Sequence, residues 1–342
     1  MATRAVDEVM PEDPLSTSRA IFNSPSWRLV GRRVLAAIPV MWGVTLLSYL
    51  VMNMLPGDAA SALLGLGATP TEVHSLEVKL HLNEPLLTRY WHWLTQVLQG
   101  NLGHSLTNGL PVASLIGQRI WFTLGLLAYA FLISVVFSVP LALISARKPG
   151  GLVDRATMAL SMGGLSIAPY VLPLILILVF SIRFQLFPAI YPNPHSVFGT
   201  VRALTLPAAS FGFPLTCFYT RLLRADLVEQ MASEEYVVTA QAKGLGSWQV
   251  LTRHALRNSL FSFITVLGLN VGTLLAGTVI VESIFAIPGI GQLLLQSIQD
   301  RDVPVVEALV LIFAAFAVLA NLLADLAYAV LDPRVRHGRA AA

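Results

Sequence analysis

Six stretches of this chain carry no charged side chain over a length that can cross a bilayer: Val34–Leu55, Ile120–Ala146, Ala156–Ile182, Ala203–Thr220, Ser259–Val281 and Ala308–Ala324. About 30 Å of hydrocarbon takes roughly 17 to 25 helical residues to span. A helix satisfies its own backbone hydrogen bonds, as lipid demands, and no strand-like alternation competes with it. The sequence therefore predicts an all-α integral membrane protein with six transmembrane helices. Pro39, Pro140, Pro169, Pro173, Pro207 and Pro214 predict kinks, and Gly268 and Gly272 predict close helix contacts.

Composition agrees: 55% of the 342 residues are hydrophobic and only 12% are charged, about half the share usual in a soluble domain. The pI of about 9.2 does not indicate nucleic acid, because the basic residues lie between apolar runs rather than on one surface. They instead set an orientation. With the N-terminus inside, sixteen Lys and Arg fall on the cytoplasmic face, among them Arg147, Lys148, Arg155, Arg221, Arg224, Lys243, Arg253 and Arg257. Five fall outside (Lys79, Arg89, Arg183, Arg202 and Arg301), with Arg119 at a boundary. The positive-inside rule then places both termini in the cytoplasm. The polar start lacks a short apolar core and cleavage site, so the first apolar run reads as a retained anchor.

The expected organisation is a cytoplasmic tail over 1–28, a first span over 29–55, an extracytoplasmic segment over 56–112, a transmembrane domain over 113–330 and a cytoplasmic tail over 331–342. The extracytoplasmic segment has two helix-like pieces, Thr71–Leu80 and Glu84–Leu98, and a turn at Asn101-Leu-Gly. Leu87, Tyr90, Trp91, Leu94 and Leu98 make one apolar face, suited to lying on the membrane or on the helix ends.

A polar, helix-prone stretch, Ser233–Asn258, separates the fourth and fifth runs inside a cytoplasmic loop spanning 225–258. Ser233 is a good N-cap, Glu234 and Glu235 suit a helix N-terminus, Lys243 suits its last turn, and Gly244 can take the left-handed conformation that ends it. Ala240 and Ala242 predict a thin surface for a close partner. Ser247 is a second N-cap, for a helix over Trp248–Leu256. The product is two short helices joined at a glycine bend.

The run Tyr236-Val-Val-Thr239-Ala240-Gln241-Ala242-Lys243-Gly244-Leu245, with Arg253-His254-Ala255-Leu256-Arg257-Asn258 after it, resembles the loop of permease subunits of ATP-binding-cassette importers of the dipeptide/oligopeptide type. The resemblance extends through Leu55-Pro56-Gly57-Asp58, Leu82-Asn83-Glu84-Pro85-Leu86, Gly100-Asn-Leu-Gly103-His-Ser105, Asp154-Arg155, Val281-Glu282-Ser-Ile-Phe285-Ala-Ile-Pro288-Gly289-Ile-Gly291 and Asp332-Pro333-Arg334. Gln241 stands where the family usually has Arg, and Ala59 where it often has Pro. The resemblance implies a type I importer permease fold with a helical extracytoplasmic segment, in a bacterial inner membrane. It makes Glu235, Tyr236, Thr239, Ala240, Gln241, Ala242, Lys243, Gly244 and Leu245 a coupling helix docking on a separate ATPase. It also implies a second permease, two ATP-binding subunits and an extracytoplasmic binding protein. Substrates in such a family include dipeptides, longer peptides, nickel chelates, haem and glutathione.

No G-x-x-x-x-G-K-[ST] occurs, so ATP and Mg belong to partner subunits and this chain needs no cofactor of its own. Dispersed histidines without HExxH spacing and a lone Cys217 give no metal site and no disulfide. Serines in no GxSxG setting give no catalytic residue, which weighs against an intramembrane enzyme. A stand-alone secondary transporter would need a charged relay or a repeated half, and neither is evident. The turn with Pro288, Gly289 and Gly291 suits a gate or lip of a pathway, or an ordinary outer turn. Glu282 and Asp325, costly in lipid, must face polar groups or water; Glu282 is also a candidate for a substrate amino group. Asp58 reads as an N-cap.

Overall fold

A computed structural model describes residues 25–54, 69–79, 83–194 and 196–331. All elements in it are helical apart from one isolated bridge between His104 and Pro111. In chain order the helices are α1 (Pro25–Met54), α2 (Pro70–Lys79), α3 (Leu86–Leu98), α4 (Val112–Ala146), α5 (Leu152–Ser166), α6 (Val171–Leu176, continued as a π-helical turn over Ile177–Arg183) and α7 (Val197–Ser233). The order continues with α8 (Glu235–Ala242), α9 (Ser247–Val250), a π-helical stretch over Leu251–Ala255, α10 (Leu256–Ile284), α11 (Ile290–Gln299) and α12 (Val303–Leu331).

Among the described residues, four helices are long and apolar enough to cross a membrane: Leu35–Met54 of α1, α4, α7 and Val303–Ala324 of α12. The expected single span over Ala156–Ile182 is broken: α5 and the α6 segment meet at 106°. Pro169 is the cause, since it removes an amide donor and forces the preceding residues out of helical geometry; Ile167 is already extended, with φ −73° and ψ 128°. A second correction concerns Ala203–Thr220, which lies inside a helix of 37 residues. At 1.5 Å per residue it is about 55 Å long, so the start of the predicted 225–258 loop is helical continuation. The run Ser259–Val281 falls within α10, which has 29 residues.

Helix α7 packs most extensively on α4, and α12 runs between α10 and α1. At one end, rich in arginine, Ala142, Tyr219, Leu223, Leu227, Leu251 and Phe263 form one core. At the opposite end Val112, Leu115, Leu275, Ile290, Leu293 and Leu309 form another. Gly268 makes the expected close contact, because a Cβ there would lie 3.1 Å from the Ala324 methyl. The surroundings of Gly272, the Asp325 side chain, Asp58 and the stretches 1–24 and 332–342 lie outside the described residues.

The α2 terminus is a capping box. The Thr69 amide donates to Glu72 Oε2 at 2.9 Å and the Glu72 amide to Thr69 Oγ1 at 3.4 Å. The Thr69 amide and hydroxyl hold the Glu72 carboxyl below its ordinary range. Helix α3 splits its apolar face. Tyr90 is buried, its hydroxyl 2.9 Å from Thr45 Oγ1 of α1, whereas Leu87, Trp91 and Leu98 stay exposed, an apolar surface open to lipid or a partner. The predicted turn is present: the Gly103 amide donates to Asn101 Oδ1 at 2.9 Å.

Candidate functional site

At the arginine-rich end, α8 and α9 form a compact knuckle beyond the end of α7. Its bend is a Schellman motif. The Leu245 amide donates to the Ala240 carbonyl at 3.2 Å, and the Gly244 amide to the Gln241 carbonyl at 2.9 Å. Gly244 sits at φ +84°, the left-handed region that costs an L-residue roughly 1–2 kcal/mol. Leu245 then packs on Val237, Ala240 and Val250.

Three local expectations are corrected here. Ser233 is the last residue of α7, its hydroxyl donating back to the Glu229 carbonyl at 2.8 Å, and Glu234 takes the N-cap position of α8. Gly246, not Ser247, takes the N-cap position of α9. Ala240 is buried while Ala242 is exposed, so the two do not share a surface; residues two apart on a helix cannot. The outward face is Glu235, Val238, Gln241 and Ala242, with Thr239 and Lys243 also exposed. Val238, 68% exposed, is the apolar contact that the sequence pattern left unmarked.

Gln230 near the end of α7 stitches the knuckle to the bundle. Its Oε1 accepts from the Tyr236 hydroxyl at 2.7 Å and from Asn258 Nδ2 at 2.9 Å. Burial pushes the Tyr236 phenol above its ordinary pKa, so it remains a donor at neutral pH. Arg147, at the end of α4, lies 5.6 Å from the centroid of the Trp248 ring, a cation–π contact. Beside it, Asp154 of α5 accepts from Arg224 of α7, from Ser145 of α4 and from the Gly150 amide. Gln230 of α7 and Arg147 at the end of α4 thus contact the knuckle directly, Asn258 ties α10 to Gln230, and Asp154 joins α4, α5 and α7.

At the opposite end, α10 also closes with a Schellman motif, with Ala286 in the left-handed position at φ 51°. The Gly289 amide donates to the Ile287 carbonyl at 2.7 Å, a tight turn centred on Pro288. Glu282 is fully buried and does not meet water. Its Oε1 accepts from Thr123 Oγ1 at 2.6 Å and its Oε2 from the Gln292 amide at 3.0 Å, while the Ile290 amide donates to Thr123 Oγ1 at 2.9 Å. The carboxylate therefore caps the N-terminus of α11, where a helix favours negative charge. A Cβ on Gly289 would overlap that carboxylate, and one on Gly291 would lie 2.8 Å from Val279 Cα. The glycines are needed for close approach.

Two buried acids carry no sequence motif. Asp302 accepts from Ser105 Oγ and from the Leu106 amide at 3.0 Å, tying the 100–111 loop to the start of α12. Glu307 of α12 is fully buried beside Ser48, and neither carboxylate oxygen has a hydrogen-bond partner of ordinary length among the described residues. Above it lies a cleft of about 530 Å³, lined by Tyr49, Arg89, His92, Trp93, His104 and Pro304 among others. No cluster of three or more His, Cys, Asp or Glu that could hold a metal occurs among the described residues.

An all-helical chain with several membrane-length helices, and a capped two-helix knuckle at their basic end, has the make-up of a membrane transport subunit. Residues 138–337 match the model of the binding-protein-dependent transport system inner membrane component, and residues 26–126 match that of its N-terminal part. A probable peptide ABC transporter permease protein of Sinorhizobium fredii is 35% identical over 308 residues, covering 90% of this chain and 98% of the relative. A putative peptide transport system permease protein of Brucella abortus is 35% identical over 311 residues, 90% of this chain and 99% of its own. A glutathione transport system permease protein of Escherichia coli is 33% identical over 306 residues, 90% and 98% respectively. The chain belongs to the family of binding-protein-dependent transport system inner membrane components, the permease subunits of ABC importers. It is a multi-pass inner-membrane transport subunit and not itself an enzyme.

Proposed function

We propose that this chain forms half of the translocation pathway of an ATP-driven importer for peptides or for a related small substrate such as glutathione. It pairs with a homologous permease and receives substrate from an extracytoplasmic binding protein. The peptide and glutathione relatives support that substrate class. In this reading the bent α5–α6 pair makes the third crossing, α10 the fifth and α12 the sixth. Both termini face the cytoplasm, as the distribution of Lys and Arg supports.

The observation that carries the reading is the knuckle itself. A short helix with an exposed face (Glu235, Val238, Gln241, Ala242) is fused through a glycine-locked bend and a π-helical turn to the membrane-length α10. Tyr236 holds it to the bundle through Gln230, Leu245 packs inside the bend, and Thr239 and Lys243 flank the face. Such a unit transmits displacement, because helices are stiff and the Schellman bend lacks a soft joint. ATP and Mg act on two separate ATPase subunits, whose closure moves this helix and so biases the permease between inward- and outward-facing states. At the other end, the Pro288–Gly291 turn, held by Glu282, forms part of the rigid outer lip of the pathway.

Co-purification with the ATPase subunits tests the reading. The wild-type chain retains them, and Val238→Asp, which places a charge on an exposed position, loses them while the permease pair stays assembled. Retention of the ATPases by Val238→Asp together with Ala242→Asp would overturn the assignment of this face. Substrate uptake by the purified chain alone would instead favour a secondary transporter.

A further inference from the structure

Arginines at the basic end fall into two groups. Arg224 is fully engaged by Asp154. Arg253 and Arg257 have no carboxylate or other hydrogen-bond partner among the described residues, and both are exposed. They line an open cleft of about 650 Å³ with Tyr236, His254, Asn258 and Phe261. Among the described residues, no acidic side chain lines it.

The π-helical turn over Leu251–Ala255 shifts the register just where the chain enters α10, a deviation often found at functional positions. It leaves Arg253, His254 and Arg257 on the cleft, one or two turns before the apolar surface begins. That surface starts with Phe261 and Ile264, 44% and 45% exposed. The cleft wall is preset, since Tyr236 and Asn258 both bind Gln230 Oε1. A pair of guanidinium forks matches phosphate oxygens bidentately, and an adjoining exposed apolar strip matches acyl chains. Basic pockets beside membrane-length helices at the cytoplasmic surface suit anionic lipid headgroups.

We propose that this cleft binds the phosphate-bearing headgroup of an anionic phospholipid in the inner leaflet. Arg253 and Arg257 grip the phosphate, His254 and Asn258 contact the glycerol side, and the chains lie along Phe261 and Ile264. The inference rests on the orientation proposed above. The outward face of α8 remains available to the ATPase, because Glu235, Val238, Gln241 and Ala242 do not line the cleft.

The test uses the assembled importer in nanodiscs of phosphatidylcholine, with or without phosphatidylglycerol. Native mass spectrometry reads retained lipid, and thermal unfolding reads stabilisation. Wild type retains phosphatidylglycerol preferentially. Arg253→Gln with Arg257→Gln weakens retention about twenty-five-fold, from about fivefold for each arginine near an anionic surface. Arg253→Lys with Arg257→Lys keeps most of it, and Arg221→Gln leaves it unchanged. Equal retention by wild type and the double Gln variant would overturn the proposal. So would stabilisation by inorganic phosphate equal to that by phosphatidylglycerol, which would mark a free-phosphate site. Loss of the ATPase subunits from the double Gln variant with lipid retention intact would also overturn it, assigning the cleft to a protein contact. Thiol labelling of Gln241→Cys in a Cys217→Ala background is read in parallel. Labelling from outside with the lipid retained defeats the orientation alone, and the converse defeats the lipid site alone.

Discussion

Arg224 grips Asp154 with both arms of its fork, Nε to Oδ1 at 2.9 Å and Nη2 to Oδ2 at 2.6 Å. The pair joins α5 to α7, seventy positions apart in the chain, and Ser145 adds α4. Asp154 is 5% exposed and Arg224 22%. Removing one partner leaves a charge without compensation.

Arg224→Met should therefore lower unfolding stability by about 3 kcal/mol, as for a broken buried pair. Arg224→Lys keeps the charge but not the fork and should recover part of the loss. Thermal unfolding of the solubilised chain measures both. An unchanged midpoint in Arg224→Met would show that water already solvates Asp154.

Gly244→Val should uncouple ATP hydrolysis from uptake. A β-branched residue resists φ +84° at a cost of at least about 1–2 kcal/mol, which opens the bend between α8 and α9. In the reconstituted complex, hydrolysis should persist while uptake falls about tenfold or more, as a shift of about 1.4 kcal/mol in the coupled equilibrium implies. Uptake at the wild-type level would remove the bend from the coupling route.

Gly289→Ala should cost about 1–3 kcal/mol, the usual penalty for overpacking a filled site, because the new methyl meets the Glu282 carboxylate. Glu282→Ala alone uncaps α11. Combining the two should cost less than the sum, since each makes room for the other's defect. A double-mutant cycle by thermal unfolding reads the sign, and strict additivity would contradict the contact.

Glu307→Met should stabilise the chain by about 1–3 kcal/mol, because it removes a buried polar group with no hydrogen bond of ordinary length and fills similar space. Uptake measured on the same variant separates two roles for this acid. Higher stability with lower uptake would show that Glu307 is retained for transport; higher stability with unchanged uptake would show that it is not.

Gln241→Cys in a Cys217→Ala background should resist an impermeant thiol reagent applied to intact cells and react after permeabilisation. Position 241 is exposed and Cys217 is buried, so the reagent reports sidedness alone. Labelling in intact cells would reverse the orientation drawn from the charge count.

The chain's own order of residues was enough for the membrane class, the basic end and the bend at Gly244, because these depend on local properties: hydropathy over one turn after another, charge, and backbone freedom at one glycine. The capping box of Thr69 and Glu72 was equally local, although the predicted helix there began at Thr71. Tertiary structure decided the rest. Pro169 announces a kink, but only packing sets the 106° bend between α5 and the α6 segment. Ser233 and Ser247 have the chemistry of N-caps, yet α7 runs on and Gly246 takes the second position. Glu282 with Thr123, Asp154 with Arg224, and Arg253 with Arg257 on one cleft beside Phe261 are partnerships or absences of partners. A charged side chain in the sequence shows only that lipid would penalise it. Which donors lie within 3 Å of it, or that none do, depends on where distant helices bring their backbones together.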